Sequence, residues 1–217
     1  MRYNLVIFDL DGTLLNTLDD LADAGNRTLT EIGLPTRPAE EVRAMIGGGV
    51  GRLIRRLLPE DTEEAAVQDV IRRFKANYAE RVNVHTAPYP GIPELVRALR
   101  ACGIHTACNS NKLDAATQLL CRAHFGDDIE LALGERDDIP RKPAPDGALR
   151  IMRALGAEPS RTLYVGDGDA DILTAQNAGV DCAWVTWGYR RREEFEGLPI
   201  SRAFDSAEAL QRFILEN

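Results

Sequence analysis

Residues 5–14, LVIFDLDGTL, begin as an apolar, partly β-branched run and end in two carboxylates and a glycine. Such a run is typical of a strand that is buried on both faces inside a parallel sheet. In open α/β sheets the ligand crevice lies outside the carboxyl ends of the strands. We therefore expect Asp9 at that edge, with Asp11 facing the same crevice from the loop that follows. Gly12 allows a sharp turn or a close approach of a ligand to the backbone.

The rest of the chain divides by pattern into two parts. Residues 16–84 carry apolar positions at helical spacing, whereas the later residues alternate between strand-like and helix-like segments. We predict an α/β fold in which a core of residues 1–15 and 85–217 carries a helical insert, residues 16–84. Polar strand ends recur in the core, which indicates a doubly wound, mostly parallel sheet. Among the predicted elements are helices over 39–45, 92–101 and 146–155 and strands over 104–108 and 162–165.

The composition excludes several classes of function. With 217 residues, a net charge of −8 and no long basic block, the chain is not expected to bind nucleic acid. The short run Arg190–Arg192, followed at once by two glutamates, is interpreted as a solvated turn. No apolar run approaches the ~20 residues of a membrane span, and no secretion signal precedes the first strand. The four cysteines lack CxxC spacing, so we expect a cytoplasmic protein. The expected oligomeric state is a monomer or a homodimer.

Four polar clusters are expected to meet at one edge of the sheet. They supply Asp9 and Asp11, Ser110 and Asn111, Lys142, and Asp167 with Asp171. Several carboxylates in one site repel one another unless they bind a cation, and an all-oxygen site suits Mg²⁺. A lysine and a hydroxyl are the groups that the remaining oxygens of a phosphoryl group need. The residue types therefore indicate phosphoryl transfer, and the family resemblance described next implies a small phosphorylated metabolite as the partner.

These clusters also carry a family resemblance. The segments DLDGT at 9–13, SNK at 110–112, KPAP at 142–145, and GD at 166–167 with Asp171 resemble, in order, the four motifs of the haloacid dehalogenase-like superfamily. The SNK variant resembles the phosphoglycolate phosphatase-like subgroup. The resemblance implies a Rossmann-like three-layer core with a parallel sheet, and an α-helical cap formed by the insert.

The resemblance also implies a role for each core residue. Asp9 is expected to be the nucleophile that forms an aspartyl phosphate, and Asp11 the general acid and base. Ser110 and Lys142 are expected to hold phosphate oxygens, and Asn111 to help bind the substrate. The expected Mg²⁺ site is formed by Asp9, Asp11 through its backbone carbonyl, Asp167 and Asp171. Asp167 is the expected direct ligand, whereas Asp171 is expected to bind a metal water or to orient Lys142, with Asp169 as an alternative acid.

The glycine-rich segment of the insert is a candidate for substrate binding. Gly47 and Gly49 belong to a run of glycines whose backbone amides can approach a small anion, although a flexible connection between helices explains the same run. Arg52 and Arg55 follow as candidate partners for a carboxylate, although surface arginines are the commoner case.

The predicted function is hydrolysis of a small phosphomonoester by a Mg²⁺-dependent phosphatase, with 2-phosphoglycolate as the first candidate substrate. A sugar-phosphate mutase and a phosphatase for another metabolite share the same core chemistry and stay open. A regulatory domain that only binds phosphate is the alternative outside enzymes. Asp11 argues against that alternative, because binding alone needs no proton donor.

Overall fold

A six-stranded parallel sheet runs through the centre of the protein. In the computed structural model, which describes residues 2–195, 198, 200 and 202–216, its strand order is β5-β4-β1-β6-β7-β8. The strands are β1 (Leu5–Phe8), β4 (His105–Leu113), β5 (Leu131–Glu135), β6 (Thr162–Gly166), β7 (Asp181–Val185) and β8 (Ala203–Phe204). A separate antiparallel pair joins β2 (Leu15–Asn16) to β3 (Ala87–Pro88).

The strand β1 lies in the middle of the sheet, as its apolar sequence predicts. All four of its residues are fully buried. Phe8, its last residue, pairs with Cys108 of β4 on one side and with Val165 of β6 on the other. The carboxyl ends of three adjacent strands therefore meet at one edge, which is where the sequence places its polar clusters.

Helices cover both faces of the sheet, so the core has three layers. Val6 and Phe8 share one apolar cluster with Leu95 and Val96 of α5, whereas Leu5 and Ile7 share another with residues of α7. This alternation follows from the two-residue period of a strand. The helices are α1 (Leu18–Glu31), α2 (Ala39–Met45), α3 (Val50–Leu57), α4 (Glu64–Glu80), α5 (Ile92–Ala101), α6 (Asp114–Phe125), α7 (Asp146–Leu155), α8 (Asp169–Ala178) and α9 (Ala207–Glu216). The predicted fold class is confirmed, and α2, α5 and α7 have the predicted bounds.

The helical insert leaves and rejoins the core at one place. Its two connections pair side by side, with Leu15 opposite Pro88 and Asn16 opposite Ala87. The buried carboxylate of Asp20, on α1, accepts hydrogen bonds from the backbone N–H groups of residues 84–86 and from the Thr86 hydroxyl at 2.7 Å. This carboxylate fixes the returning chain against the outgoing helix.

Three short strands and one strand end differ from the prediction. The strands β2, β3 and β8 have two residues each, too few to produce an alternating pattern. The strand predicted to end at residue 108 continues to Leu113, since its polar residues 109–112 are buried in extended conformation. Within the described part of the chain, no helix has the length and apolar character needed to cross a membrane.

Candidate active site

Three carboxylates converge at the carboxyl edge of the sheet. Asp9 follows β1, Asp167 follows β6, and Asp171 lies in the first turn of α8. One oxygen from each lies within 4.8 Å of the others, and all three residues are buried. The structure thus brings these three predicted site residues together, because adjacent parallel strands carry distant segments to one edge.

Lys142 provides the positive charge within this cluster. Its Nζ atom lies 2.7 Å from Oδ1 of Asp9 and 2.7 Å from Oδ1 of Asp171, and only 4% of its side chain is exposed. The loop that carries it is held by Asn111, whose Oδ1 accepts the Lys142 N–H at 2.9 Å and whose Nδ2 donates to the Lys142 carbonyl at 3.0 Å. The Asn111 side chain thus positions Lys142, and its predicted contact with substrate stays a prediction.

The electrostatics of the cluster favour a bound cation. Burial and the nearby charge of Asp171 raise the pKa of Asp9 from 3.8 to about 7, and the same two effects raise the pKa of Asp167 to about 8. Burial alone lowers the pKa of Lys142, but Asp171 and Asp9 outweigh it, so the net direction is upward. One ammonium group therefore faces three carboxyl groups. When these carboxyl groups are ionised, their negative charge exceeds the single positive charge, and this surplus and the all-oxygen donor set fit a hard divalent cation such as Mg²⁺.

Asp167 is held more firmly than the motif alone indicates. Its Oδ2 accepts the backbone N–H of Tyr189 at 2.7 Å, and its Oδ1 accepts the Thr13 hydroxyl at 3.3 Å. A Cβ atom on Gly12 or on Gly188 would overlap the Asp167 carboxylate, so both positions require glycine. These contacts fix the direction in which Asp167 presents its oxygens.

Asp11 lies beside the cluster, but its carboxylate points to different partners. Lys112 Nζ donates to its Oδ1 at 2.9 Å and to its Oδ2 at 3.1 Å, and the Thr17 hydroxyl donates to its Oδ1 at 2.6 Å. Its side chain is not part of the three-carboxylate group, and the predicted metal contact through its backbone carbonyl stays a prediction. The two acids of the first motif therefore occupy chemically distinct environments.

The other predicted residues line the same cleft. Ser110, Gly47 and Gly49 face it together with Asp9 and Asp11, and Asp169 does so without joining the carboxylate cluster. The run 47–49 has positive φ angles throughout, between 79° and 115°, and leads into α3. By contrast, Arg52 and Arg55 are exposed and are not among the lining residues, so the structure does not bring these two candidates to the site.

The interpretation of Arg190 as part of a solvated turn was wrong. Only 13% of its side chain is exposed, and its guanidinium donates to the carbonyl of Ile46 at the end of α2. From the other side, Arg43 of α2 donates to the carbonyl of Tyr189. Hydrogen bonds therefore join the segment 188–190 of the core to the helical insert. The sequence did not indicate this contact, because the two glutamates that follow suggest a local ion pair. Arg190 does pair with one of them, Glu194, in addition to its contact with Ile46.

Comparison with known proteins agrees with this geometry. The profile of haloacid dehalogenase-like hydrolases matches residues 6–185. The chain belongs to the haloacid dehalogenase-like hydrolase family. It is 34% identical to a phosphoglycolate phosphatase from Aquifex aeolicus, over 98% of this chain and 99% of that protein.

Solved structures of relatives have the same fold along almost the whole chain. A provisionally named phosphoglycolate phosphatase from Lactobacillus delbrueckii subsp. bulgaricus superposes with a TM-score of 0.93 at 33% identity, covering 99% of both chains. A variant of CbbY from Rhodobacter sphaeroides, in complex with xylulose-1,5-bisphosphate, superposes with a TM-score of 0.76 at 26% identity, covering 94% of this chain and 95% of that chain.

Proposed function

We propose that this protein is a Mg²⁺-dependent phosphatase that hydrolyses a small phosphomonoester, with 2-phosphoglycolate as the first candidate. The observation that carries the proposal is the separation of two acids at one cleft. Asp9 lies in the three-carboxylate cluster beside Lys142, and Asp11 lies next to it with its own partners. A nucleophile and a separate proton carrier are what hydrolysis through an aspartyl phosphate requires. The names of the full-length relatives support the choice of substrate.

Asp9, Asp167 and Asp171 are the side chains that would hold the metal ion. Asp9 and Asp167 are the proposed direct ligands, whereas Asp171, which lies 2.7 Å from Lys142 Nζ, would orient Lys142 or bind the metal through water. When bound, Mg²⁺ neutralises the charge that develops on the phosphoryl oxygens. The proposal extends to a cytoplasmic location, as the unpaired cysteines Cys102, Cys108, Cys121 and Cys182 fit a reducing compartment.

The reaction follows from the positions of the side chains. Oδ1 of Asp9 accepts the Leu10 N–H at 2.7 Å and faces Lys142, which leaves Oδ2 to attack phosphorus. The P–O ester bond breaks as the Asp9–phosphorus bond forms, and the leaving oxygen takes a proton from Asp11. Asp11 then removes a proton from water, which attacks phosphorus and releases phosphate from Asp9. Lys142 and Ser110 hold phosphoryl oxygens in both steps.

The helical insert, residues 16–84, is proposed as a cap over this cleft. The paired connections β2 and β3 give it a single narrow attachment, which suits movement relative to the core. Leu21, Phe74 and Tyr78 of the cap line the cleft and would exclude water once a substrate is bound. Backbone amides of Gly47 and Gly49 are proposed to approach the substrate from the same side.

A panel of phosphomonoesters, with Mg²⁺ or with a chelator, tests the proposal. The native enzyme is expected to release phosphate from 2-phosphoglycolate only with Mg²⁺, and Asp9→Asn is expected to release none. Asp19→Asn, an exposed acid on α1, is the matched control and should behave as the native enzyme. Hydrolysis that persists in Asp9→Asn would disprove the aspartyl-phosphate mechanism.

A second candidate is action on a sugar phosphate. The relative in complex with xylulose-1,5-bisphosphate favours this alternative, because it shares the fold at 26% identity. Release of phosphate from sugar bisphosphates faster than from 2-phosphoglycolate would support it. An isomerised product without free phosphate would indicate a mutase, and binding without any turnover would indicate a regulatory domain.

A further inference from the structure

One lysine of the cleft has no role in the proposed mechanism. The chain has only three lysines, Lys75, Lys112 and Lys142, since arginine supplies nearly all of its positive charge. Lys75 is exposed, whereas Lys112 and Lys142 are both buried and both line the cleft. Lys142 belongs to the cluster of Asp9 and Asp171. Lys112 is therefore a second buried ammonium group, which lies beside the proton-carrying acid.

The position of Lys112 is closely defined. Its side chain is 3% exposed, and Nζ lies within 3.1 Å of both carboxylate oxygens of Asp11. Nζ also lies 4.7 Å from the centre of the Tyr78 ring, over its face. Asp11 and Lys112 are on the core, and Tyr78 is on α4 of the helical insert. The ammonium group therefore lies between the core and the insert, in the cleft that Asp9 and Asp11 also line.

Tyr78 adds an unused polar group at the same place. Its side chain is 2% exposed, and within the described residues its hydroxyl makes no hydrogen bond of ordinary geometry, although the Lys112 ammonium group lies close enough to interact with it. A buried hydroxyl without a partner loses the hydrogen bonds that it makes in water, so a ligand that accepts its proton would restore one of them. Burial raises the pKa of this phenol, which keeps it a donor at neutral pH. The Tyr78 hydroxyl and the Lys112 ammonium group together suit one anionic acceptor.

The remaining basic residue of the cleft is already engaged. Arg190 donates to the carbonyl of Ile46 and pairs with Glu194 at 3.1 Å, which holds its guanidinium against the end of α2. Lys142 faces Asp9 and Asp171. Lys112 is also engaged, since it pairs with Asp11. It is nevertheless the basic side chain of the cleft that can bind a second negative charge on the substrate without disturbing the three-carboxylate cluster or the contact of Arg190 with Ile46.

Building on the proposed phosphatase function, we propose that Lys112 and Tyr78 recognise a carboxylate on the substrate, attached to the carbon atom that bears the phosphate ester. Asp11 must reach the ester oxygen to protonate it. Lys112 lies within hydrogen-bond distance of Asp11, so it reaches groups that are two bonds away from that oxygen. A carboxylate on the adjacent carbon meets this condition, whereas a longer spacer carries the charge past Lys112 and into the apolar side of the cap.

Carboxylate binding also changes the partner of Lys112. In the structure Asp11 is the anion that balances the buried ammonium group. An incoming carboxylate replaces part of that interaction, so that Asp11 can face the ester oxygen in its protonated form, after taking a proton from solvent, and donate that proton to the leaving oxygen. A neutral analogue cannot do this, because it would leave a buried charge without a second anion. Lys112 and Tyr78 are therefore specificity-determining residues for an α-phosphoryloxy acid.

Two esters that differ only in charge test this proposal. We would measure kcat/KM for 2-phosphoglycolate and for its primary amide, using the native enzyme, Lys112→Met, Tyr78→Phe and Lys75→Met. The native enzyme should prefer the acid by on the order of 100-fold. Lys112→Met should reduce this ratio by at least about ten-fold and Tyr78→Phe by about three-fold or more. Lys75→Met should leave the ratio unchanged.

A purely structural role for Lys112 predicts a different result. If Lys112 only orients Asp11, its replacement lowers kcat for the acid and the amide by the same factor and leaves their ratio intact, which would overturn the proposal. A native enzyme that does not distinguish the two esters would overturn it as well, even if Lys112→Met fails to fold.

Binding measurements separate this proposal from the proposed function. Calorimetric titration of Asp9→Asn with the acid and with the amide needs no turnover. Preferential binding of the acid that is lost in Asp9→Asn/Lys112→Met supports the carboxylate site even if no ester is hydrolysed. Equal binding of the two compounds refutes the site even if the enzyme proves to be a phosphatase.

Discussion

The Nζ atom of Lys142 lies 2.7 Å from Oδ1 of Asp9, in a pair from which water is almost excluded. The same ammonium group faces Asp171 at an equal distance, so it balances two carboxylates at once. This arrangement makes the lysine a neutralising partner for the proposed nucleophile and a ligand for an incoming phosphoryl group. It leads to the first prediction.

Replacing Lys142 with Gln should reduce kcat for 2-phosphoglycolate by on the order of 10²–10³, because a preorganised charge near the transferring phosphoryl group is lost. Lys75→Gln removes an exposed lysine and is the matched control. Steady-state kinetics with saturating Mg²⁺ would measure both variants. A native kcat in Lys142→Gln would show that Lys142 is not required to neutralise Asp9 or to bind the phosphoryl group.

The raised pKa values of the buried acids predict a pH dependence of stability without metal. Asp9 and Asp167 have pKa values of about 7 and about 8 in the folded protein, against 3.8 as their ordinary value. At pH values between about 4 and about 8, these two carboxyl groups bind more protons in the folded protein than in the unfolded chain. The free energy of unfolding therefore falls as pH rises through this range. Thermal unfolding in a chelator should therefore give a lower Tm at pH 8 than at pH 5.

Added Mg²⁺ should reverse this loss, since it binds the ionised carboxylates. The increase in Tm on adding Mg²⁺ should be larger at pH 8 than at pH 5. Asp167→Asn removes one of the titrating groups and should flatten the pH dependence of the chelated protein. An increase in Tm with pH in the chelated native protein would contradict the prediction.

Asp20 should be important for stability although it lies outside the cleft. Its buried carboxylate accepts three backbone N–H groups and one hydroxyl from the chain that returns from the cap. Asp20→Ala leaves these donors without a partner and should lower the free energy of unfolding by roughly 2–4 kcal/mol. Asp19→Ala, at the exposed neighbouring position, should change it by less than about 0.5 kcal/mol. Urea unfolding of both variants would measure the difference, and equal values would rule out this role.

The sequence was sufficient to predict the parts of the site that follow from sheet topology. Asp9 and Asp167 directly follow strands with clear apolar patterns, Ser110 follows the apolar part of β4, and parallel strands bring these positions to one edge. Lys142 was found through its motif, as its loop has no periodic pattern. The metal ligands, the substrate contacts of Gly47 and Gly49, and the bounds of the cap remain predictions.

The contacts between the core and the helical insert could not be predicted in the same way. Asp20, Lys112 and Arg190 act across long separations in sequence, and each resembles an ordinary surface charge when it is considered alone. Their burial follows from the packing of the helices α1–α4 against the core. For Lys112 one signal was present in the sequence, since a chain so rich in arginine retains lysine at only three positions.

The last prediction concerns the packing around Asp167. A Cβ atom at residue 188 would overlap the Asp167 side chain, which is held there by the N–H of Tyr189 at 2.7 Å. Gly188→Ala must therefore displace the carboxylate and should raise the Mg²⁺ concentration needed for half-maximal activity by about 10–100-fold. Gly51→Ala provides the control, because a Cβ atom there meets nothing closer than 4.0 Å and alanine suits the helix α3. Activity and Tm would be measured across a Mg²⁺ titration. An unchanged Mg²⁺ requirement in a folded Gly188→Ala protein would mean that Asp167 is not a ligand of the metal.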